Sequence, residues 1–244
     1  MKFKVGERVT GLAAVFYNGE IDHGAWQSHT MLSHTMLREI ATTNISDDLS
    51  FEDASTFSMA MATVAVGFYL LLDFPRMLGK GRRKVKGFHL GKVRHGIKKH
   101  PEYFKSIGAT ATFDYRDPKV VRNIIGEVSA SDVDLTIGSD AITENDTPQL
   151  SADGLSATGH GKGKLVLTLP WPEEYPKPED VEIFKAVAAR LGTDDQDVGA
   201  WFFNDFLTDA LEKKYVVTAP PVEIVEGGIA SAQKGFDILK EGCQ

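Results

Sequence analysis

The chain has 244 residues, 42% hydrophobic and 25% charged, with 23 Gly, 10 Pro and one Cys, a usage that excludes a disordered, collagen-like or disulfide-stapled protein. The single thiol, Cys243, excludes an intramolecular disulfide and a cysteine-based zinc site. The formal charge of −7 is unevenly spread: residues 76–99 carry ten Lys and Arg and no acid, so the rest holds 17 basic against 34 acidic residues, or −17.

From the N-terminus, MKFKVGERVTG lacks the apolar core of a secretory signal, so a cytoplasmic location is the expectation. Residues 1–48 read as β-rich, with a strand approaching Gly11 and a short buried strand over Leu12 to Tyr17. The pentapeptide Ser28 to Leu32 is repeated at once as Ser33 to Leu37. An odd-numbered insertion reverses the faces of a strand, so a loop, bulge or helical turn must absorb it. Its His29 and His34 lack a third ligand and predict no metal. Ser50 with Asp53 three residues on is a capping signature, opening a helix from Phe51 to about Leu72 that is apolar almost all round and expected inside the fold. The 14-residue apolar run Met59 to Leu72 is short for a bilayer span.

After the basic stretch the pattern becomes regular. A helix over Pro101 to Ile107 ends at Gly108, and a strand covers Ala109 to Tyr115. Pro118 at the first helical position opens a helix to about Val128. A strand Val133 to Ile137 closes at Gly138, and a helix covers Thr147 to Leu155. A strand runs from Lys164 to Leu169, with helices at Glu179 to Leu191 and Asp197 to Lys214. A strand at Val222 to Val225 and a last helix at Ile229 to Lys240 complete the reading. Alternating strands and helices predict βαβ units and a parallel sheet. Gly159 to Lys164 has neither the spacing nor the following helix of a phosphate loop and reads as a connection, as does Trp171 to Pro178. Trp201, Phe202, Phe203 and Phe206 read as the buried stripe of a helix.

Four segments, GERVTG (6–11), LSFEDASTFSMAMATVAVGFYLLL (49–72), KSIGATATFDYRDP (105–118) and PPVEIVEGGIASAQKGFDILKEG (220–242), stand in the order found in one family. The chain resembles the medium-chain dehydrogenase/reductase superfamily, in its zinc-independent quinone and enoyl reductase branch, including trans-acting enoyl reductases. The resemblance implies an α/β fold: a partial Rossmann-like parallel sheet with helices at 49–219, preceded by a remnant of a GroES-like β domain at 1–48 and followed by a return segment at 220–244. It implies hydride transfer from NADPH to an activated C=C or C=O of a small or acyl-linked enone or quinone, without metal.

The chain departs from that pattern. Five residues precede GERVTG, and RMLGKGRRKVKGFHLGKVRHGIKK stands where a first strand and Gly-rich turn are expected, with Gly79-Lys80-Gly81 but no fingerprint spacing. A shortened reading of a reductase gene is one expectation. A non-catalytic relic that binds a protein partner is the alternative function. Nucleic acid is not an expected partner, because the −17 remainder repels a polyanion; a membrane is not expected either.

The resemblance also carries site residues. Thr63 matches a Thr near the nicotinamide, and equally reads as a helix Thr bonded to its own turn. Tyr115 matches a Tyr over the adenosine 2′-phosphate, with Lys99 or His100 as its basic companion. Gly138 and Leu169, at the carboxyl side of their strands, are the remaining cofactor candidates; both also read as strand terminators.

Overall fold

The computed structural model describes residues 2–13, 39–76, 88–91, 99–106, 108–131, 134–216, 218 and 222–241, with backbone alone for 88–91, 99–101, 103, 239 and 241. The expected five-residue repeat and most of the Leu12 to Tyr17 strand lie outside them. Contacts group the chain into two compact units: Met1–Leu70 with Pro75–Gly79 and Val187–Gln244, and Leu71–Phe74 with Lys80–Ala186.

In the first unit, β1 (Val9–Gly11) pairs antiparallel with β2 (Thr42–Asn44), Val9 opposite Asn44 and Gly11 opposite Thr42. Leu12 adds one further bond, its N–H donating to the Ala41 carbonyl at 3.1 Å, but it is not part of the strand. Gly11 is needed because a Cβ there would lie 2.7 Å from Thr42 Oγ1 and 3.0 Å from the Ala41 carbonyl oxygen. The helix α1 (Phe51–Val64) starts as its capping signature predicts: the Asp53 N–H donates to Ser50 Oγ at 3.0 Å, and that hydroxyl donates to Asp53 Oδ2 at 2.7 Å. It continues through a wider, π-helical stretch, Ala65–Leu71.

Its burial is one-sided rather than all round. Ala54, Phe57, Ser58, Ala62, Ala65 and Val66 face the core at helical spacing, while Met59 is 50% exposed. The continuous helix is 21 residues, so by length and composition alone it could cross a bilayer, and the 14-residue argument falls. Its buried side is occupied by protein: the Thr10 hydroxyl bonds to the Ala54 carbonyl and to the Ser58 hydroxyl, both at 2.9 Å.

The core of this unit is completed by α5 (Gln196–Gly199), which runs through a π-helical stretch (Ala200–Leu207) into α6 (Thr208–Glu212). Phe202, Phe203 and Leu207 are fully buried and Trp201 nearly so, which is the expected aromatic stripe. Tyr69 meets Trp201 edge-on at 4.9 Å between ring centroids. Asn204 ties this helix to the β-pair, its Nδ2 donating to the carbonyls of Glu39 at 2.7 Å and Thr42 at 2.8 Å. Thr43 and Thr208 share a hydroxyl hydrogen bond of 2.8 Å. The segment 222–225, expected as a strand, has no strand partner among the described residues. The last helix, α7 (Ala232–Glu241), stands where it was expected.

In the second unit, β3 (Phe88–Gly91) pairs in parallel with β4 (Ala111–Asp114), and α2 (Lys99–Ser106) lies between them in sequence. A strand therefore exists inside the basic stretch, contrary to the reading that none leads through it. Gly108, at φ +117°, ends α2 as expected: its N–H donates to the Lys105 carbonyl, and that of Ala109 to the Phe104 carbonyl. Next, α3 (Val120–Ser129) begins two residues later than expected. Pro118 lies in the turn before it, where Asp117 accepts from the Lys119 N–H at 2.8 Å and from Asn123 Nδ2 at 3.0 Å.

The second sheet of this unit is all parallel, in the order β5 (Ile137–Asp140), β6 (Gly163–Leu167), β7 (Val181–Lys185), with α4 (Thr147–Thr158) between β5 and β6. The expected strand Val133 to Ile137 is thus displaced toward the C-terminus, and Gly138 sits inside a strand rather than ending one. Pairing sets this register, since the Lys164 N–H reaches the Thr136 carbonyl at 2.8 Å and the Thr168 N–H that of Asp140 at 3.3 Å. The helix expected over Glu179 to Leu191 is overturned. Val181–Lys185 pairs with β6 from Gly163↔Val181 to Leu167↔Lys185, and Ala188–Gly192 forms a 3₁₀ turn in the first unit. Ala152, Leu155, Leu165, Leu167 and Val181 form the core between α4 and the sheet. A satellite of Val120, Ile124 and Val128 lies beneath α3.

Candidate functional site

A cleft of about 290 Å³ opens in the second unit where the carboxyl ends of β4 and β5 converge. In open α/β sheets this is the side on which ligands bind. Phe113 and Tyr115 come from the end of β4, Leu135 from the approach to β5, Ser139 and Ile142 from its end, and Leu150 from α4. Apolar walls with a few hydroxyls suit a flat, partly polar ligand.

The side of the cleft beyond β5 is held by Asp140, which is 6% exposed. Its Oδ1 accepts from the N–H groups of Ile142 and Thr143, each at 2.9 Å, and its Oδ2 from the Thr147 hydroxyl at 2.8 Å. The Thr143 hydroxyl donates to the Asp140 carbonyl at 3.0 Å and shares a 3.1 Å bond with the Thr168 hydroxyl. Thr143 (φ +52°) and Asn145 (φ +54°) both sit in the left-handed region. Such residues carry strain of about 1–3 kcal/mol each that neighbouring bonds must hold. Asp140 supplies those bonds, so the loop 141–147 is built around it. Sequence reasoning missed this residue; the one available signal was Asp followed by Thr at the third and seventh positions, an Asx-turn arrangement.

Of the expected site residues, Tyr115 and Gly138 both line this cleft. Gly138 has a packing reason to lack a side chain, since a Cβ would come within 2.9 Å of Leu155 Cδ1 and 3.0 Å of Leu165 Cδ1. Leu169 lies two residues beyond β6, is 46% exposed and does not line the cleft. Lys99 and His100 are the first two residues of α2, and their side chains lie outside the described residues. Thr63 belongs to the first unit, where its hydroxyl donates to the Met59 carbonyl of its own helix at 3.1 Å. The Gly79-Lys80-Gly81 segment and the connection from β3 to α2 (92–98) lie outside the described residues. Among the described residues no group of three or more His, Cys, Asp or Glu is placed to hold a metal ion.

No protein-family model matches the chain. Trans-enoyl reductase himH of Aspergillus japonicus is 25% identical over 261 residues, which cover 99% of this chain and 72% of that protein. Among solved structures, the CurK enoyl reductase superposes with a TM-score of 0.61 at 11% identity, over 83% of this chain and 63% of that one. A mutant of the Candida tropicalis reductase Etr1p, in complex with NADP and crotonyl-CoA, superposes with a TM-score of 0.58 at 10% identity, over 83% and 66%. This chain thus spans just under two thirds of the length of those solved enzymes. Sequence similarity along nearly the whole chain, joined to a mixed α/β fold with parallel sheets, places it among the enoyl-reductase-like members of the medium-chain dehydrogenase/reductase superfamily.

Proposed function

We propose that the chain is an NADPH-dependent oxidoreductase that delivers hydride to the activated C=C or C=O of a small or acyl-linked enone or quinone. The observation that carries this reading is the cleft at the carboxyl ends of β4 and β5, with Tyr115 and Gly138 on its wall. Its apolar walls suit an adenine ring, and the hydroxyls of Tyr115 and Ser139 suit the adenosine sugar and phosphate. Lys99 and His100, at the head of α2, add positive charge at a helix N-terminus, the end that favours anions. Gly138 lets the ligand approach the β5 backbone, and Leu169 is an apolar contact beyond β6. When bound, the dinucleotide supplies the hydride; the chain's own part is to hold the nucleoside, keep loop 141–147 in place through Asp140, and offer the Thr63 hydroxyl to a carboxamide or carbonyl oxygen.

One observation favours the second reading, a non-catalytic chain that binds a protein partner. The bonds of β5 to β6 use the Thr136 and Asp140 carbonyls, so the alternating backbone groups of Ile137 and Ser139 face the other edge. Among the described residues no strand covers that edge, and β3–β4 and β5–β6–β7 remain separate sheets. An uncovered edge is a template for another chain. Titration with NADPH separates the two. Saturable binding that is lost on substituting Tyr115 supports the enzyme; its absence at millimolar NADPH supports the partner-binding module.

A further inference from the structure

The pair of residues that closes β4 extends the cofactor reading and rests on it. Asp114 ends a parallel strand, the position from which an acidic side chain binds a ribose diol and repels a phosphate monoester. In this chain the carboxylate is engaged. Arg116 Nε donates to its Oδ1 at 3.1 Å and Nη2 to its Oδ2 at 2.8 Å, while the Arg116 N–H adds a third bond to Oδ1 at 3.1 Å. The Asp117 N–H closes the turn on the Asp114 carbonyl at 3.0 Å. Two bonds from a planar fork fix the guanidinium in direction as well as in charge, which a lysine cannot do.

Tyr115, the residue between the pair, lines the cleft. The Arg116 side chain is 43% exposed and that of Asp114 28%, so a ligand phosphate can reach the cation while the carboxylate is largely covered. We propose that Arg116, held in place by Asp114, is the specificity-determining residue that makes this site take a ribose 2′-phosphate in preference to a free 2′-hydroxyl. The carboxylate that would select the unphosphorylated nucleotide is turned into the anchor for the group that selects the phosphorylated one.

The test uses the full chain and two probes, NADPH and NADH, titrated by nucleotide fluorescence against the parent, Arg116→Gln, Arg116→Lys and Asp114→Asn. The parent is expected to bind NADPH more tightly than NADH. Arg116→Gln should lower that preference at least tenfold, through the NADPH affinity alone. Arg116→Lys should retain part of it, and Asp114→Asn, which removes the repelling carboxylate, should keep or raise it. An unchanged preference in Arg116→Gln, or an equal loss of both nucleotides, overturns the assignment while leaving the proposed function in place. If neither nucleotide binds the parent chain, the proposed function itself fails, and this assignment with it.

Discussion

Thr147 donates its hydroxyl to the buried carboxylate of Asp140 at 2.8 Å, joining the first residue of α4 to the last residue of β5 across the loop that walls the cleft. With the Ile142 and Thr143 N–H groups on the other oxygen, the carboxylate holds a loop containing two left-handed residues. Asp140→Ala would leave those donors without their acceptor, at about 1–3 kcal/mol each where they stay buried. Chemical denaturation should therefore show a loss of about 3 kcal/mol for Asp140→Ala and about 1 kcal/mol for Thr147→Val. Nucleotide binding should weaken in both. Equal stability of Asp140→Ala and the parent would contradict the role given to this residue.

Gly138 fills less space than any other residue could at its place in β5. Adding one methyl group puts it within 3.0 Å of two leucine side chains, Leu155 and Leu165, that are 2% and 0% exposed. Over-packing of this kind costs about 1–3 kcal/mol. Gly138→Ala should lower the melting temperature, and Gly138→Val should lower it further; a melting curve unchanged in both would show that the core yields freely.

The reading of the sequence succeeded where a local signal and its packing agreed. Ser50 with Asp53, Gly108 after α2, and the aromatic stripe of 201–206 each carry their own physical reason and stand where they were placed. It failed where pairing between distant segments decided the outcome. Residues 179–191 contain Ala188, Ala189 and Leu191, good helix formers, and so read as one helix. Parallel pairing with β6 claims Val181–Lys185, whose alternation of buried Val181, exposed Glu182 and half-buried Ile183 is the period-two signal that was passed over. The apolar run Val133 to Ile137 suggested a strand, but β6 sets the register of β5 later in the chain. In the candidate site, Tyr115 and Gly138 were visible through their family context. Asp140 was not, because one acidic residue after Gly-Ser gives no spacing pattern, and its importance arises from loop geometry.

Asn204 donates to two backbone carbonyls, those of Glu39 and Thr42, and so spans 165 and 162 residues of sequence. Asn204→Leu keeps the volume and removes both bonds, leaving two part-buried acceptors at a cost of about 1–3 kcal/mol. Phe203→Ala, at a fully buried ring, should cost about 3–5 kcal/mol. Parallel denaturation curves of the two variants check both figures, and a loss from Asn204→Leu as large as that from Phe203→Ala would contradict this ordering.

Lys214 occupies the left-handed position after α6 (φ +55°), its N–H bonded to the Leu211 carbonyl and that of Tyr215 to the Ala210 carbonyl. Its ammonium group reaches Asp48 Oδ2 at 2.5 Å. The hydrogen bond from Lys214, with a second from Ser46, draws the Asp48 carboxyl down from 3.8 to about 2. A depressed carboxyl stabilises the fold above its unfolded value near 4 and loses that contribution as pH falls toward 2. The pair is exposed, so salt should weaken it. An NMR titration of Asp48 should show a midpoint near 2 in the parent and near 3.8 in Lys214→Met. Lys214→Gly loses the pair but relieves the backbone, and should be more stable than Lys214→Ala by about 1 kcal/mol.

The central claim, that the cleft between β4 and β5 holds a nicotinamide dinucleotide phosphate, is tested most directly by the thermal unfolding of the full chain in rising NADPH. Binding to the folded state alone adds about 2.7 kcal/mol at a hundredfold excess over Kd. A melting temperature that climbs with NADPH concentration in the parent, and climbs far less in Tyr115→Ala, is the predicted result. A melting temperature that does not move at millimolar NADPH would contradict the account.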